Sequence, residues 1–263
     1  VHPIERLRYV ARVGGVDQGE LVREAASAMA GFGDDPGDLV VSCRRLLVRH
    51  PTAGALWMLS ARLLTASDLR AEAWAVTEEL EHDKTASHVA RLIPDEAKVT
   101  VVGWPELVSL ALPRRGDIEV RAIDASGDGS ALARRLRGAD VESVDVPDAG
   151  AAAAASTSDL VLLEANCCGP DGFIAPAGSH AVAAVAKAAG VPVWVVVGAG
   201  RCLPARLWQS VLSSLDRDEP WEAPEELVPL SLVDRMVGPQ GGAPATDLAT
   251  RADCPAVPEL LER

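Results

Sequence analysis

The chain has 263 residues, of which 48% are hydrophobic and 24% charged, enough apolar material to bury a real core as one large or two modest domains. Its formal net charge of -13 repels phosphate backbones, so no bulk nucleic-acid binding is expected unless a local basic patch overrides the average, while a small anion in one Arg-lined pocket is still compatible with it. No stretch reaches the ~20 unbroken apolar residues of a bilayer span, and the opening "VHPIERLRYVARV" lacks the apolar region of a signal peptide, so a cytoplasmic location with no membrane partner is expected.

From about Val16 to Arg91 the pattern is helical. "QGELVREAASAMAGF", "PGDLVVSCRRLLVRH" and "ASDLRAEAWAVTEELEHDKTASHVARLI" repeat apolar residues at three- and four-residue spacing, and Gly33 to Gly37 punctuates the first two. Pro94 closes this region, and the period then changes. Short β-rich runs occur at Lys98 to Trp104, Ile118 to Ala125, Val141 to Val146, Asp159 to Ala165 and Val191 to Gly200. Between them lie helical segments such as "GSALARRLRGA" and "GSHAVAAVAKAAG", and the alanines from Ala151 to Ala155 suit a crossover helix packed closely on a sheet. Strands alternating with helices, with near-continuous apolar runs at Leu160 to Leu163 and Val193 to Val197, predict a parallel sheet covered on both faces. The fold class is therefore α/β: a helical N-terminal domain over residues 1–95, then a Rossmann-like doubly wound domain over 96–263. Asp216 to Glu226 reads as an acidic connector, and the tail beyond it has little periodicity.

In such sheets ligands bind at the carboxyl ends of the strands, which selects Gly103-Trp104, Asp124 to Gly129, Ala165 to Gly178 and Gly198 to Arg201. No GxGxxG follows any strand and no Walker lysine is present, so neither a dinucleotide nor a nucleotide-triphosphate fingerprint marks the site, and no cofactor is expected. Five scattered cysteines (Cys43, Cys167, Cys168, Cys202, Cys254) lack metal-ligand spacing and read as reduced thiols, and the five histidines are dispersed, so no metal site is expected. The adjacent pair Cys167-Cys168 ends an apolar run, where cysteine behaves as a small hydrophobe. Its neighbours Glu164, Asn166 and Asp171 provide no cation to stabilise a thiolate.

Four places resemble one family, that of the alpha, beta and delta subunits of eukaryotic translation initiation factor 2B, which also contains the methylthioribose-1-phosphate and ribose-1,5-bisphosphate isomerases. "RHPTAGALW" (Arg49 to Trp57) resembles its Arg-Pro-Thr-Ala helix start. "DLVLLEANCCGPDGFIAPAGSHAVAAVAKAAGVPVWVV" resembles its long core block, "GAGRCLP" takes the place of its following Lys loop, and "CPAVPELL" resembles its closing stretch. The resemblance implies a helical domain ahead of a Rossmann-like one, assembly as a homodimer, and a phosphorylated sugar or nucleotide held between the domains.

It also implies a site. The isomerases use a cysteine after the first strand and an aspartate after the fourth, moving protons between neighbouring sugar carbons. Here the cysteine position falls on or beside Gly103 and the aspartate position on Ala165 or Asn166, none of which is an acid or base. Asp124, Glu164 and Asp171 are the carboxylates that could replace them in a rearranged loop. Two of the family's cations are missing, since its Asn-Lys is replaced by Ala175-Pro176 and its Glu-Ser-Arg-Pro by the "DASGD" that begins at Asp124. The ligand contacts that survive are Arg12 with Gly14 and Gly15, Arg49 with Thr52, Gly103, Asn166, the helix start at Gly178-Ser179, and Arg201. The expected function is that of an initiation-factor-2B-like sensor or scaffold, non-catalytic or altered; the alternative is an aldose-ketose isomerase with relocated acid-base groups.

Overall fold

The computed structural model of the protein describes residues 17–31, 36–125, 127–215 and 218–261. Five helices come first: α1 (Gln18–Met29), α2 (Pro36–Arg49), α3 (Gly54–Thr65), α4 (Leu69–Glu81) and α5 (Thr85–Leu92). Local chemistry sets their starts. The Asp17 side chain accepts from the Glu20 N–H at the head of α1, and Asp68 accepts from the Arg70 and Ala71 N–H groups at the head of α4. α3 is apolar nearly all round, and every residue from Gly54 to Ala61 is buried, as a helix at the centre of a bundle must be. α1, α2 and α4 pack around it.

The α/β region runs β1 (Lys98–Val102), α6 (Glu106–Ala111), β2 (Glu119–Ile123), α7 (Asp128–Arg137), β3 (Glu142–Val146), α8 (Ala151–Ser156), β4 (Leu160–Glu164), β5 (Cys167–Cys168), β6 (Gly172–Pro176), α9 (Ser179–Ala188), β7 (Val193–Val196), α10 (Ala205–Ser214), β8 (Glu225–Pro229), β9 (Arg235–Gly238) and β10 (Gly241–Pro244). Seven strands form the main sheet in the order β10-β9-β7-β4-β1-β2-β3. All neighbours are parallel except β10, which turns back antiparallel on β9. The expected architecture is therefore present, a helical N-terminal region followed by a mostly parallel, Rossmann-like sheet.

Strand alternation sorts side chains onto the two faces. Val161, Leu163, Val193 and Val195 pack with Ala155, Val182, Ala183 and Ala186 of α8 and α9 on one face. Leu160, Leu162, Val99 and Val101 pack with Val89 of α5, Val108 of α6 and Leu132 of α7 on the other. Although its sequence continues the helical region, α5 thus belongs to the cover of the sheet. Conversely, Leu207, Trp208 and Val211 of α10, with Val257 and Leu260 near the end of the chain, complete the core of the helical bundle.

Two features lie outside the sequence reading. The tail that lacks periodicity supplies β9 and β10, and the loop around Cys167 and Cys168 folds into a small antiparallel sheet, β5-β6-β8. These strands have only two to five residues each, too few for an alternating pattern to register. Gly169 tightens the turn because a Cβ there would lie 2.2 Å from the Trp208 ring. Among the described residues, no helix is long and apolar enough to cross a membrane.

Candidate functional site

Strand order reverses between β1 and β4, the crevice where open α/β sheets place their ligands. Gly103 (φ +64°) follows β1, and Ala165-Asn166 follows β4. Pro105 ends the short link after β1, so α6 begins at Glu106 with its first N–H groups facing the end of β4. The Glu164 side chain meets them: one carboxylate oxygen accepts from Leu107 N (2.8 Å) and Val108 N (3.0 Å). Its other oxygen accepts from Arg201 Nη1 at 2.8 Å.

Arg201 arrives from the loop after β7, where the glycines of "GAG" leave room for it. A Cβ on Gly198 would lie 3.1 Å from both Arg201 Nε and Asp83 Oδ2. Arg201 is 3% exposed, and its guanidinium donates to Glu164, to the Ala165 carbonyl (2.8 Å) and to Glu106 Oε2 (2.8 Å). Asp83 adds to its field while accepting from Ala199 N at 2.9 Å. Burial pulls the Arg201 pKa down, but Glu106 and Glu164 outweigh it, so the group is held above its ordinary value and stays cationic. For Glu164, burial is the largest influence and pushes the carboxyl up, opposed by Arg201 and the two α6 N–H groups.

The same cluster joins the helical region to the sheet. Glu106 Oε2 also accepts from Gln18 N (3.1 Å), and the Gln18 side chain donates to the Asn166 carbonyl (2.8 Å) and accepts from Ala55 N (3.1 Å). Gly54 N donates to that same carbonyl at 3.1 Å. The starts of α1 and α3 are thus tied to the end of β4. Sequence reasoning missed Gln18, Asp83 and Glu106. An acidic residue at the first helical position after Pro105 was the readable signal for Glu106; Gln18 and Asp83 carried none, because their partners are remote in the chain.

Of the sequence-selected residues, Glu164 and Arg201 are bonded to each other at the junction, and the Asn166 carbonyl joins them through Gln18. Asp124, just after β2, accepts from Ser130 N (3.2 Å) and steadies the start of α7, and Ser130 Oγ continues to Asp145 (2.7 Å). Asp171, in the β5-β6 turn, accepts from Trp208 Nε1 at 2.6 Å. Neither is hydrogen-bonded to Glu164. Asn166 donates from Nδ2 to Glu225 Oε1 at 2.5 Å. Gly178 caps α9 with φ +95° beside open space, Ser179 is fully buried, and the next N–H, of His180, donates to Glu226 at 2.8 Å. Arg49 is exposed at the last turn of α2, and Thr52 is 9% exposed just before α3. Arg12, Gly14 and Gly15 lie outside the described residues.

The chemistry open to this junction follows from its charges. Among the described residues one buried cation faces Glu164 and Glu106 directly and Asp83 at longer range, and both of its Nη atoms donate to protein acceptors. A phosphate approaching the Nη atoms of Arg201 competes with Glu164 and Glu106 for them. Neither Gly103 nor Ala165 can move a proton. Among the described residues no group of three or more His, Cys, Asp or Glu side chains is arranged to hold a metal ion. A separate hollow of about 240 Å³, lined by Met236, Gly241, Gly242 and Arg251 among others, lies at the β9-β10 hairpin.

No protein-family model matches the sequence, and no curated protein matches it. Solved structures do. The translation initiation factor eIF-2B of Pyrococcus horikoshii superposes with a TM-score of 0.75 at 16% identity, covering 92% of this chain and 96% of that one. The beta subunit of eIF2B from Chaetomium thermophilum gives 0.70 at 17% identity, covering 94% of this chain and 89% of its own. A chain of the tetrameric eIF2B-beta2-delta2 complex from the same organism gives 0.71 at 17%, covering 94% and 92%. At these identities the likeness is one of fold.

Proposed function

From the premise that this chain has the fold of the eIF2B subunits, we propose that it is a non-catalytic protein of the initiation-factor-2B kind, a homodimeric scaffold whose domain junction serves to hold its two parts together. The observation that carries this reading is the state of Arg201, the one cation at the junction carried over from the family's lysine loop. It is buried and bound by Glu164, Glu106 and a carbonyl. Charge-assisted bonds from both Nη atoms to protein acceptors support a role in positioning protein segments.

A sensor reading is favoured by a different observation. Ser179 Oγ is buried without a hydrogen-bond partner at the open start of α9, where Gly178 leaves space. A phosphorylated sugar or nucleotide bound there would satisfy that hydroxyl and the adjoining helix terminus. The isomerase reading has less support, because Asp124, Glu164 and Asp171 are each engaged by different partners.

A thermal-shift series with methylthioribose-1-phosphate, ribose-1,5-bisphosphate, AMP and inorganic phosphate separates the three. A scaffold gives no shift. A sensor gives a shift with one organic phosphate, worth about 2.7 kcal/mol at a hundredfold excess over Kd, that inorganic phosphate does not reproduce. Conversion of an aldose phosphate to a ketose would overturn the non-catalytic reading.

A further inference from the structure

Cys168 and Cys202 are far apart in sequence, yet they are direct bridge partners, with Cys168 on β5 and Cys202 in the loop after β7. Their sulfurs are 3.1 Å apart. Cys168 N donates to the Arg201 carbonyl and Leu203 N to the Cys168 carbonyl, both at 2.8 Å, so the two backbones run side by side. Chains paired in this way lie about 5 Å apart, inside the window of Cα separations that a disulfide spans. On the far side Asp253 pins Cys202 through Cys202 N to its carboxylate (3.0 Å) and Asp253 N to the Cys202 carbonyl (2.8 Å). The thiols therefore meet in a fixed frame, next to the residue that holds the domain junction.

We propose that Cys168 and Cys202 are a redox modification site, closed by a peroxide into an intramolecular disulfide that clamps the Arg201 loop to β5. One thiol attacks the peroxide O–O bond, giving a sulfenic acid and releasing water. The second thiol then attacks that sulfur, forming the S–S bond and expelling a second water. Two thiols and one hydrogen peroxide become one disulfide and two waters, the sulfurs losing two electrons that the peroxide oxygens gain. Both side chains are about 1% exposed, and burial pushes the Cys168 thiol well above its ordinary pKa. The reduced pair is accordingly slow to oxidise, and small oxidants reach it ahead of bulky ones.

The test is overnight exposure of the full chain to hydrogen peroxide, alkylation of remaining thiols, and peptide mapping before and after reduction. The expected product is a reducible link between the peptide containing Cys168 and that containing Cys202, retained in Cys167→Ser and lost in Cys168→Ser. The oxidised protein melts several degrees above the reduced one, and Cys168→Ser abolishes that difference. If Cys168→Ser does not fold, fragmentation of the linked wild-type peptide assigns the bonded sulfur. No link, a link through Cys167 or Cys254, or a link between two chains overturns the proposal.

Discussion

At the scale of single residues, the junction depends on one guanidinium. Removing one partner of a buried ion pair leaves the other charge without compensation, at a cost of about 3–5 kcal/mol. Arg201→Ala is expected to lower the unfolding free energy by that amount in urea titrations, with Arg201→Lys recovering only part, because an ammonium cannot serve Glu164, Glu106 and the Ala165 carbonyl in the geometry of the fork. A loss under about 1 kcal/mol would show that the pair is solvated in practice. A second residue sets an acid limit. Partial burial pushes the Asp234 carboxyl up, but its bonds from Lys187 (2.7 Å) and Val193 N (2.9 Å) win, so its pKa lies below the ordinary value. A carboxylate lowered on folding contributes stability above the unfolded pKa of about 3.9, and that contribution is lost as pH falls through the lower folded value. Melting curves from pH 5 down to pH 2 should therefore fall more steeply for the wild type than for Asp234→Asn; parallel curves would remove Asp234 from the account. The sequence made Arg201 visible as a candidate through its place after a strand. It did not show that Glu164 and Glu106 would pair with it.

At the scale of elements, α3 meets the loops of the sheet at a close contact. A Cβ on Gly54 would sit 2.9 Å from Arg201 Cα and from Cys167 Cβ, and 3.0 Å from the Asn166 carbonyl oxygen. These are backbone and stem atoms, which cannot swing away. Gly54→Ala should therefore destabilise by about 1–3 kcal/mol, as overpacking does, although alanine is the better helix former. A neutral or stabilising result in denaturant titration would mean that α3 slides freely over the loop. The N-terminal helices, α7, α8 and α9, and the parallel strands β1, β2, β3, β4 and β7 were legible because each has its own periodicity or apolar run. β5, β6 and β8 were not, because short strands of a satellite sheet take their pairing from each other. β9 and β10 were hidden in a tail whose glycines and prolines read as loop.

At the scale of the whole molecule, the two regions exchange segments: α5 covers the sheet, and α10 with the end of the chain fills the helical core. They should unfold together. A single cooperative transition is expected, with near-ultraviolet and far-ultraviolet signals coinciding; two resolved transitions would contradict the shared core. Sedimentation equilibrium should give twice the chain mass of 27.5 kDa if the homodimeric scaffold is correct, and a monomer at micromolar concentration would sink it.

The sequence by itself determined the alternation of strands and helices and the parallel sheet buried on both faces, because those depend on residues within a few positions of each other. Only the tertiary structure decided what the junction is made of. Arg201 reaches Glu106 across 95 positions, and Gln18 reaches Asn166 across 148. Such pairs are specified by how the chain is wound, through strand order and helix docking, and a buried charge takes the partners that winding places within reach. That is why the arginine was visible in the sequence while the carboxylates and the carbonyl it bonds to were set only by the winding.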